Sequence, residues 1–197
     1  MITLPSWVDT QTATPRLVDR GIWNEPFLGG SFTRTDRPGS RFACEFTLPP
    51  IWSDDQGKAL LADLIAAKRQ GMRYRWPLGA LGSSPVGSPR VVGNTNQGTT
   101  LLVRGFTPLI NIKKGQFFSL THEGKSYLHV VHVGGNVSAG GNAAVTIEPE
   151  LRVIPSDNDV IEFERPIIEG IVKGSELVWT QSVNKYMEFS FTLEEMQ

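Results

Sequence analysis

Residues 115–133 read GQFFSLTHEGKSYLHVVHV, two runs of strand-forming residues on either side of a short polar segment. Gly124 and Lys125 suit the central positions of a two-residue hairpin turn, which would place His122 opposite Tyr127. The aromatic and β-branched residues that flank this turn favour paired strands over a helix. The stretch therefore predicts a β-hairpin, and this hairpin sets the fold class of the sequence around it.

Short alternating runs continue on both sides of the hairpin and are separated by turn-forming clusters such as VGGNVSAGGN and PSDND. Five runs are typical of strands: TTLLVRGF (99–106), GQFFSLTH (115–122), KSYLHVVHV (125–133), NAAVTIEPEL (142–151) and DVIEFERP (159–166). Short strands with no strong helical pattern between them indicate a small closed or partly closed barrel. We predict an OB-like barrel over residues 87–166.

One segment departs from the β pattern, IWSDDQGKALLADLIAAKRQG at residues 51–71. Ser53 and Gln56 form a capping box, and leucines recur at helical spacing after it. Gly71 supplies the left-handed residue that often ends a helix. We predict a helix over residues 54–70 with one apolar face, packed on a sheet that includes the alternating runs RFACEFTL (41–48) and MRYRWPL (72–78).

The chain is predicted to fold as two domains. Residues 79–89, GALGSSPVGSP, have the composition of a linker. After Pro166 the alternation of the N-terminal part returns. We therefore expect a mainly β (α+β) protein in which residues 1–86 and 167–197 form a β-sandwich with one helix, and the barrel is an insertion between them. A linear two-domain arrangement with a C-terminal hairpin would have the same number of strands.

Composition and charge limit the possible functions. Apolar residues make up 40% of the 197 residues and charged residues 20%, as in ordinary globular proteins. The net charge of -1 lacks the basic excess of a chain that neutralises nucleic-acid phosphates. A single cysteine, Cys44, excludes an internal disulfide and fits a reducing cytoplasm. We recognise no secretion signal and no membrane span, and expect a soluble protein.

The three histidines all lie in the hairpin stretch, but they do not form a predicted metal or catalytic site. His129 and His132 are three apart on one strand, so their side chains leave opposite faces. His122 and His129 have no carboxylate placed to complete a ligand set. The GKS at 124–126 lacks both the earlier glycine and the following helix of a phosphate-binding loop. The sequence therefore predicts no enzyme, no catalytic residue, no metal and no cofactor.

The order of these elements resembles the distal tail protein of long-tailed phages. The likeness is carried by the helix that ends in AAKRQG, the strand YRWPL, and then GTTLLVRGFTPLINIKKGQFFSLTHEGKSYLHVV and AAVTIEPELRVIP. The likeness extends over most of the chain, and the order of the elements is similar to that in the version of the family with an OB-type second domain. It is a likeness of architecture rather than of a catalytic motif.

The resemblance implies a structural virion protein without catalytic activity. In that family six copies form a ring that joins the tail tube to the hub, tip and fibre proteins, and the OB domain projects outward. The expected partners are other copies of the chain, the tail tube protein, the hub or tip protein, and fibre or collar proteins, with no nucleic acid and no membrane insertion. The expected location is the tail tip of the virion, after assembly in the cytoplasm of a bacterial host.

Two groups of residues are candidates for these contacts. For the ring they are aromatic residues near both termini, with the monomer core as the alternative: Trp7, Trp23, Phe27, Tyr186, Phe189 and Phe191. For a partner protein or host glycan they lie in an outer loop of the barrel: Gly134, Gly135, Asn136, Gly140 and Gly141.

Two other binding functions are alternatives. Five tryptophans raise the possibility of a carbohydrate-binding module that attaches to a host surface through the barrel, although all five lie outside the barrel. A single-stranded nucleic-acid binder would use the same barrel surface. Glycan affinity would favour the first, and salt-dependent binding to oligonucleotides the second.

Overall fold

The computed structural model of the protein describes residues 1–37, 39–79 and 86–196. These residues form an open β-sheet that carries one helix, and a closed β-barrel. The prediction of a mainly β protein with one helix and a small barrel is therefore confirmed.

The open sheet takes strands from both ends of the chain. They are β1 (Ile2–Thr3), β2 (Thr12–Val18), β5 (Arg41–Thr47), β6 (Ile51–Trp52), β7 (Met72–Arg75), β16 (Ile167–Val172), β17 (Trp179–Gln181) and β18 (Tyr186–Glu195). Their order is β1-β7-β16-β18-β5-β2, and β6 and β17 both pair with the first half of β18. A separate two-stranded hairpin lies between β2 and β5 in the chain, formed by β3 (Ile22–Asn24) and β4 (Thr33–Thr35).

Strand β18 holds this unit together. Its second half pairs with β5 and β16, and its inward side chains Phe189, Phe191 and Leu193 are all buried. Phe191 packs on the ring of Phe46 with 5.6 Å between ring centroids. The prediction that Phe189 and Phe191 contact a neighbouring copy is therefore wrong, because both rings fill the core of their own chain.

The helix α1 (Asp55–Gln70) begins one residue after the predicted start and ends where predicted. Its N-cap is Asp54, whose Oδ1 accepts a hydrogen bond from the Gly57 N–H at 3.0 Å, so the expected capping box of Ser53 is not the one used. Gly71 has a φ of 74° and closes the helix. Leu60 and Leu64 on the apolar face of the helix are buried against the sheet, and a hydrogen bond caps the helix at each end.

The barrel contains one strand more than the five runs predicted. Its strands are β8 (Gly87–Val91), β9 (Thr100–Phe106), β11 (Phe117–His122), β12 (Lys125–Val133), β14 (Ala143–Glu148) and β15 (Val160–Glu162), closed in the order β11-β12-β14-β9-β8-β15. A short ribbon of β10 (Asn111–Ile112) and β13 (Gly135–Asn136) lies beside it. The interior is filled by apolar side chains such as Phe118, Leu120 and Ile147.

Two predictions about the barrel need correction. The predicted linker 79–89 ends in strand β8, which pairs with β9 despite its glycine and proline, while residues 80–85 of that linker lie outside the described residues. The hairpin turn is Glu123-Gly124 rather than Gly124-Lys125, because Glu123 and Gly124 both take positive φ, as a type I′ turn requires. His122 therefore lies opposite Lys125, and Leu120 opposite Tyr127.

Two carboxylates of the sheet complete the hydrogen bonding of the barrel. Strand β14 pairs with β12 only from Val130 onwards, so the earlier part of β12 has a free edge. On that edge the Ser126 N–H donates to Glu169 Oε2 at 3.0 Å, and the Leu128 N–H donates to Glu195 Oε1 at 2.7 Å. Buried N–H groups without acceptors are costly, so these two hydrogen bonds stabilise the contact between barrel and sheet.

Glu195 also holds a buried cation. Arg152, which follows β14, donates from Nη2 to Glu195 Oε1 at 2.7 Å, and its guanidinium carbon lies 5.2 Å from the centre of the Tyr127 ring. The other carboxylate oxygen accepts from the Phe42 N–H of β5 at 2.7 Å. One carboxylate thus connects a sheet strand, a barrel strand and a barrel loop, while burial raises the pKa of Glu195 against the opposing effect of Arg152.

We expect Glu195→Ala to lower the free energy of unfolding by about 3–5 kcal/mol, because the change leaves the Arg152 charge buried without its partner. Urea denaturation measures this loss. Glu188→Ala is the matched control, since Glu188 lies on the same strand with an exposed side chain, and it should change the value by less than about 0.5 kcal/mol. Equal effects of the two changes would contradict the assigned role of Glu195.

Candidate functional site

The hairpin of β3 and β4 projects from the sheet and is referred to below as the arm (residues 19–37). Every residue of its two strands is exposed on both faces. An isolated two-stranded hairpin is marginally stable in water, so an arm of this kind needs other interactions to hold its shape.

A polar network at the root of the arm provides those interactions. The Asp19 carboxylate accepts hydrogen bonds from the Gly21 N–H at 2.9 Å, from Arg34 Nη2 at 3.0 Å and from the Ser40 hydroxyl at 3.1 Å. Arg34 also pairs with Asp36 and lies 5.4 Å from the centre of the Trp23 ring. The Gly21 N–H, followed by the Ser40 hydroxyl and Arg34, keeps the pKa of Asp19 below its usual value.

The tip of the arm is apolar and uncovered. Phe27 is 100% exposed, Leu28 93%, and Trp23 and Phe32 61% each. Folded monomers rarely leave several large apolar side chains in one exposed cluster, and such clusters commonly mark interaction sites. The arm therefore combines a fixed root with a tip that its own chain does not bury.

A second apolar cluster lies at the start of β18, where β6 and β17 pair with it, and is called here the β17–β18 surface. Trp52 packs on Tyr186 with 4.5 Å between ring centroids. Val178 is exposed next to β17, and Val183 in the β17–β18 turn is 100% exposed. Trp179 lies opposite Phe189, so its side chain leaves the other face of the ribbon, where it is 40% exposed. β6, β17 and the first half of β18 thus present a three-stranded ribbon with aromatic and aliphatic groups on its surface.

The structure distributes the predicted ring residues over three places. Trp23 and Phe27 lie in the arm, Tyr186 lies half-buried in the β17–β18 surface, and Trp7 is 43% exposed near the N-terminus. Their contacts with a neighbouring copy stay predictions. The sequence analysis did not include five other exposed apolar residues among the ring candidates: Leu28, Phe32, Trp52, Trp179 and Val183. For Leu28 and Phe32 the available signal was the segment WNEPFLGGSF (23–32), which contains large apolar residues but does not alternate like a strand.

The predicted outer loop is shaped by its own packing. Gly134 lies so close to strand β10 that a Cβ there would meet the Ile112 carbonyl oxygen at 1.9 Å, and Gly141 has a φ of 76° and accepts from the Phe106 N–H. Gly135 pairs with Ile112 in the β10–β13 ribbon. The packing therefore requires glycine at positions 134 and 141. The exposed members of the predicted loop, Asn136 and Gly140, are the ones left for a partner.

The histidines occupy three different environments. His129 is buried in the barrel, His132 is exposed, and His122 Nδ1 lies 2.7 Å from Asp159 Oδ2 at the end of β11. This His122–Asp159 pair joins β11 to the turn before β15 and was not foreseen. Within the ranges that the structure describes, no three His, Cys, Asp or Glu side chains are grouped closely enough to hold a metal ion.

His129 is held in its neutral form. Its Nδ1–H donates to the Pro149 carbonyl at 2.9 Å, and Phe118 packs beside the ring at 5.7 Å between centroids. Burial, and secondly the charge of Arg152, lowers the pKa of His129 to about 3. The unfolded chain, with an ordinary histidine pKa of about 6.5, binds a proton that the folded protein excludes.

Stability should therefore fall as the pH decreases below about 6.5, because protons favour the unfolded state between the two pKa values. At pH 5 the loss attributable to His129 is about 2 kcal/mol relative to neutral pH. His129→Asn keeps an N–H donor and cannot titrate, so it should remove this part of the pH dependence. Urea denaturation of both proteins at pH 7.5 and pH 5 measures the difference, and identical losses would contradict it.

Of the residues described, none belongs to a helix that is both long and apolar enough to cross a membrane. Comparison of the sequence with models of protein families finds no match, and comparison with curated proteins finds no relative.

Proposed function

We propose that this protein is a structural virion protein, a distal tail adaptor whose copies form a closed hexameric ring. The ring would join the tail tube to the hub, tip and fibre proteins at the tail end of a phage assembled in a bacterial cytoplasm. Its role is architectural, without catalysis. The observation that carries the proposal is the arm, which has a fixed root and an uncovered apolar tip.

The size of the uncovered surface supports self-association. Trp23, Phe27 and Phe32 leave on the order of 400 Å² of aromatic surface in water, given their exposed fractions and about 150–250 Å² for each ring. A stable interface buries about 800 Å² on each partner. The arm tip therefore supplies about half of one side of such an interface, and the neighbouring edge strand β2, nearly all exposed, extends it.

The arrangement of the chain also supports an adaptor. Arm and β17–β18 surface both belong to the sheet unit, whose strands come from residues 2–75 and 167–195. The barrel strands lie between these segments in the chain, and barrel and sheet meet along β12 and β16. In the proposed ring the sheet unit forms the subunit contacts, and the barrel is left to meet collar, hub or fibre proteins.

The mass of the protein in solution, measured by light scattering over a dilution series, should reach that of six chains at high concentration. Phe27→Asp combined with Leu28→Asp places charges in the proposed contact and should weaken assembly by at least about tenfold, the effect of losing interface hot spots.

Leu109→Asp is the control for this experiment, since Leu109 is 78% exposed in a barrel loop away from the arm, and it should leave assembly unchanged. Circular dichroism establishes that each variant folds. A monomer at every concentration, or assembly indifferent to the arm substitutions, would contradict the proposed ring contact.

A further inference from the structure

The arm and the β17–β18 surface lie at opposite ends of strand β5. The arm starts beyond Val18, which pairs with Arg41 at the beginning of β5. The β17–β18 surface lies on residues of β18 that extend past Ser190, which pairs with Thr47 at the end of β5. Seven strand residues at about 3.4 Å each separate the two sites by more than about 20 Å.

The direction of the chain increases this separation. β2 runs antiparallel to β5, so it leads away from the β17–β18 surface as it approaches the arm. The Asp19, Arg34 and Ser40 network then fixes the arm root at this far end of the sheet. The arm of one chain is therefore built away from the β17–β18 surface of the same chain.

The two surfaces are chemically complementary. Residues 22–32 of the arm contain a single charged side chain, Glu25, among apolar and small residues. Residues 178–188 of the β17–β18 surface contain two charged side chains, Lys185 in the turn and Glu188 on β18, and both are exposed. Each surface thus offers several large apolar groups and few charges, and Lys185 in the turn is opposite in sign to Glu25 in the arm.

The two surfaces also differ in shape. The tip of the arm protrudes and carries Phe27 and Leu28 at its end. The other surface is a three-stranded ribbon with the Trp52–Tyr186 pair, and it is attached to the core through buried Met187 and Phe189 on the same strand. A protruding apolar tip and a preorganised aromatic ribbon are suited to one contact, since aromatic anchors in a fixed geometry dominate interface energies.

We propose that the arm tip of one copy docks on the β17–β18 surface of the next copy, with Glu25 beside Lys185. The contact rests on the ring proposed above and specifies which surfaces form it. Because two different surfaces meet, the contact is heterologous, and its repetition gives a closed ring where the rotation between copies closes, as the ring proposed above requires.

Charge reversal tests the pairing. Glu25→Lys or Lys185→Glu alone should weaken assembly roughly five- to tenfold, since like charges then face each other. The double variant Glu25→Lys with Lys185→Glu should restore assembly to near its original strength, which a purely structural effect of either change would not do. The readout is the concentration of half-assembly from light scattering. Additive losses in the double variant would overturn the assigned pairing.

Cross-linking tests the contact itself. Phe27→Cys with Val183→Cys, treated with a short bismaleimide, should give a ladder of covalent oligomers beyond the dimer, because every chain then carries both halves of the contact. Either cysteine alone should stop at monomer and dimer. The native Cys44 contributes no background, since it is buried and burial raises its pKa to about 12. Phe27→Cys with Leu109→Cys is the control with a cysteine elsewhere on the surface and should give no ladder.

The outcomes separate the contact from the ring. A ladder specific to Phe27→Cys with Val183→Cys supports the contact. Assembly of the expected mass without that ladder overturns the contact and leaves the ring in place. A monomer at every concentration in light scattering overturns the proposed ring and the contact with it.

Discussion

The free edge of strand β12 is the constraint on which the arrangement of the two units depends. The barrel closes with β14 covering only the later part of β12, so the N–H groups of Ser126 and Leu128 face the sheet. Buried in that junction they require acceptors. Glu169 and Glu195 supply them from β16 and β18, and Arg152 and Arg73 provide the cations that keep these carboxylates compensated. The orientation of the barrel on the sheet is therefore fixed by hydrogen bonds with defined directions, in addition to apolar contact.

This junction gives strand β18 three successive roles. Its last residue, Glu195, joins barrel to sheet. Its middle residues Phe189, Phe191 and Leu193 fill the core, and its first residues, Tyr186 and Met187, pair with β6 at the β17–β18 surface. A strand restrained along its whole length presents that surface with little freedom, so binding there costs this chain less conformational entropy than binding on a mobile loop would. The packing of β18 in the core thus also restrains the β17–β18 surface.

The features that the sequence predicted well were those determined by neighbouring residues. The helix is within one residue of its expected start because capping and apolar periodicity act over a few positions. Local patterns do not specify what covers an apolar face: alternation placed Phe189 and Phe191 on one side of a strand, and only the fold shows that this side is the core. The observed hairpin register differs from the predicted one because Gly124 fits either of two turns. Strand β8 was not predicted because its glycine and proline are typical of a linker. Glu195 and Arg152, 43 residues apart, have no local signal at all.

In the candidate site, the residues that stabilise the arm differ from those that are exposed at its tip. Its root depends on Asp19, Arg34 and Ser40, whose hydrogen bonds hold the hairpin without any contribution from Phe27 and Leu28. Phe27 and Leu28 are almost wholly exposed, so their apolar character adds nothing to the core of the single chain. Exposed apolar side chains that the fold does not use favour self-association of the monomer, and natural sequences limit them for that reason. Their presence on a separately stabilised hairpin is the reason why the proposed ring contact is placed on the arm.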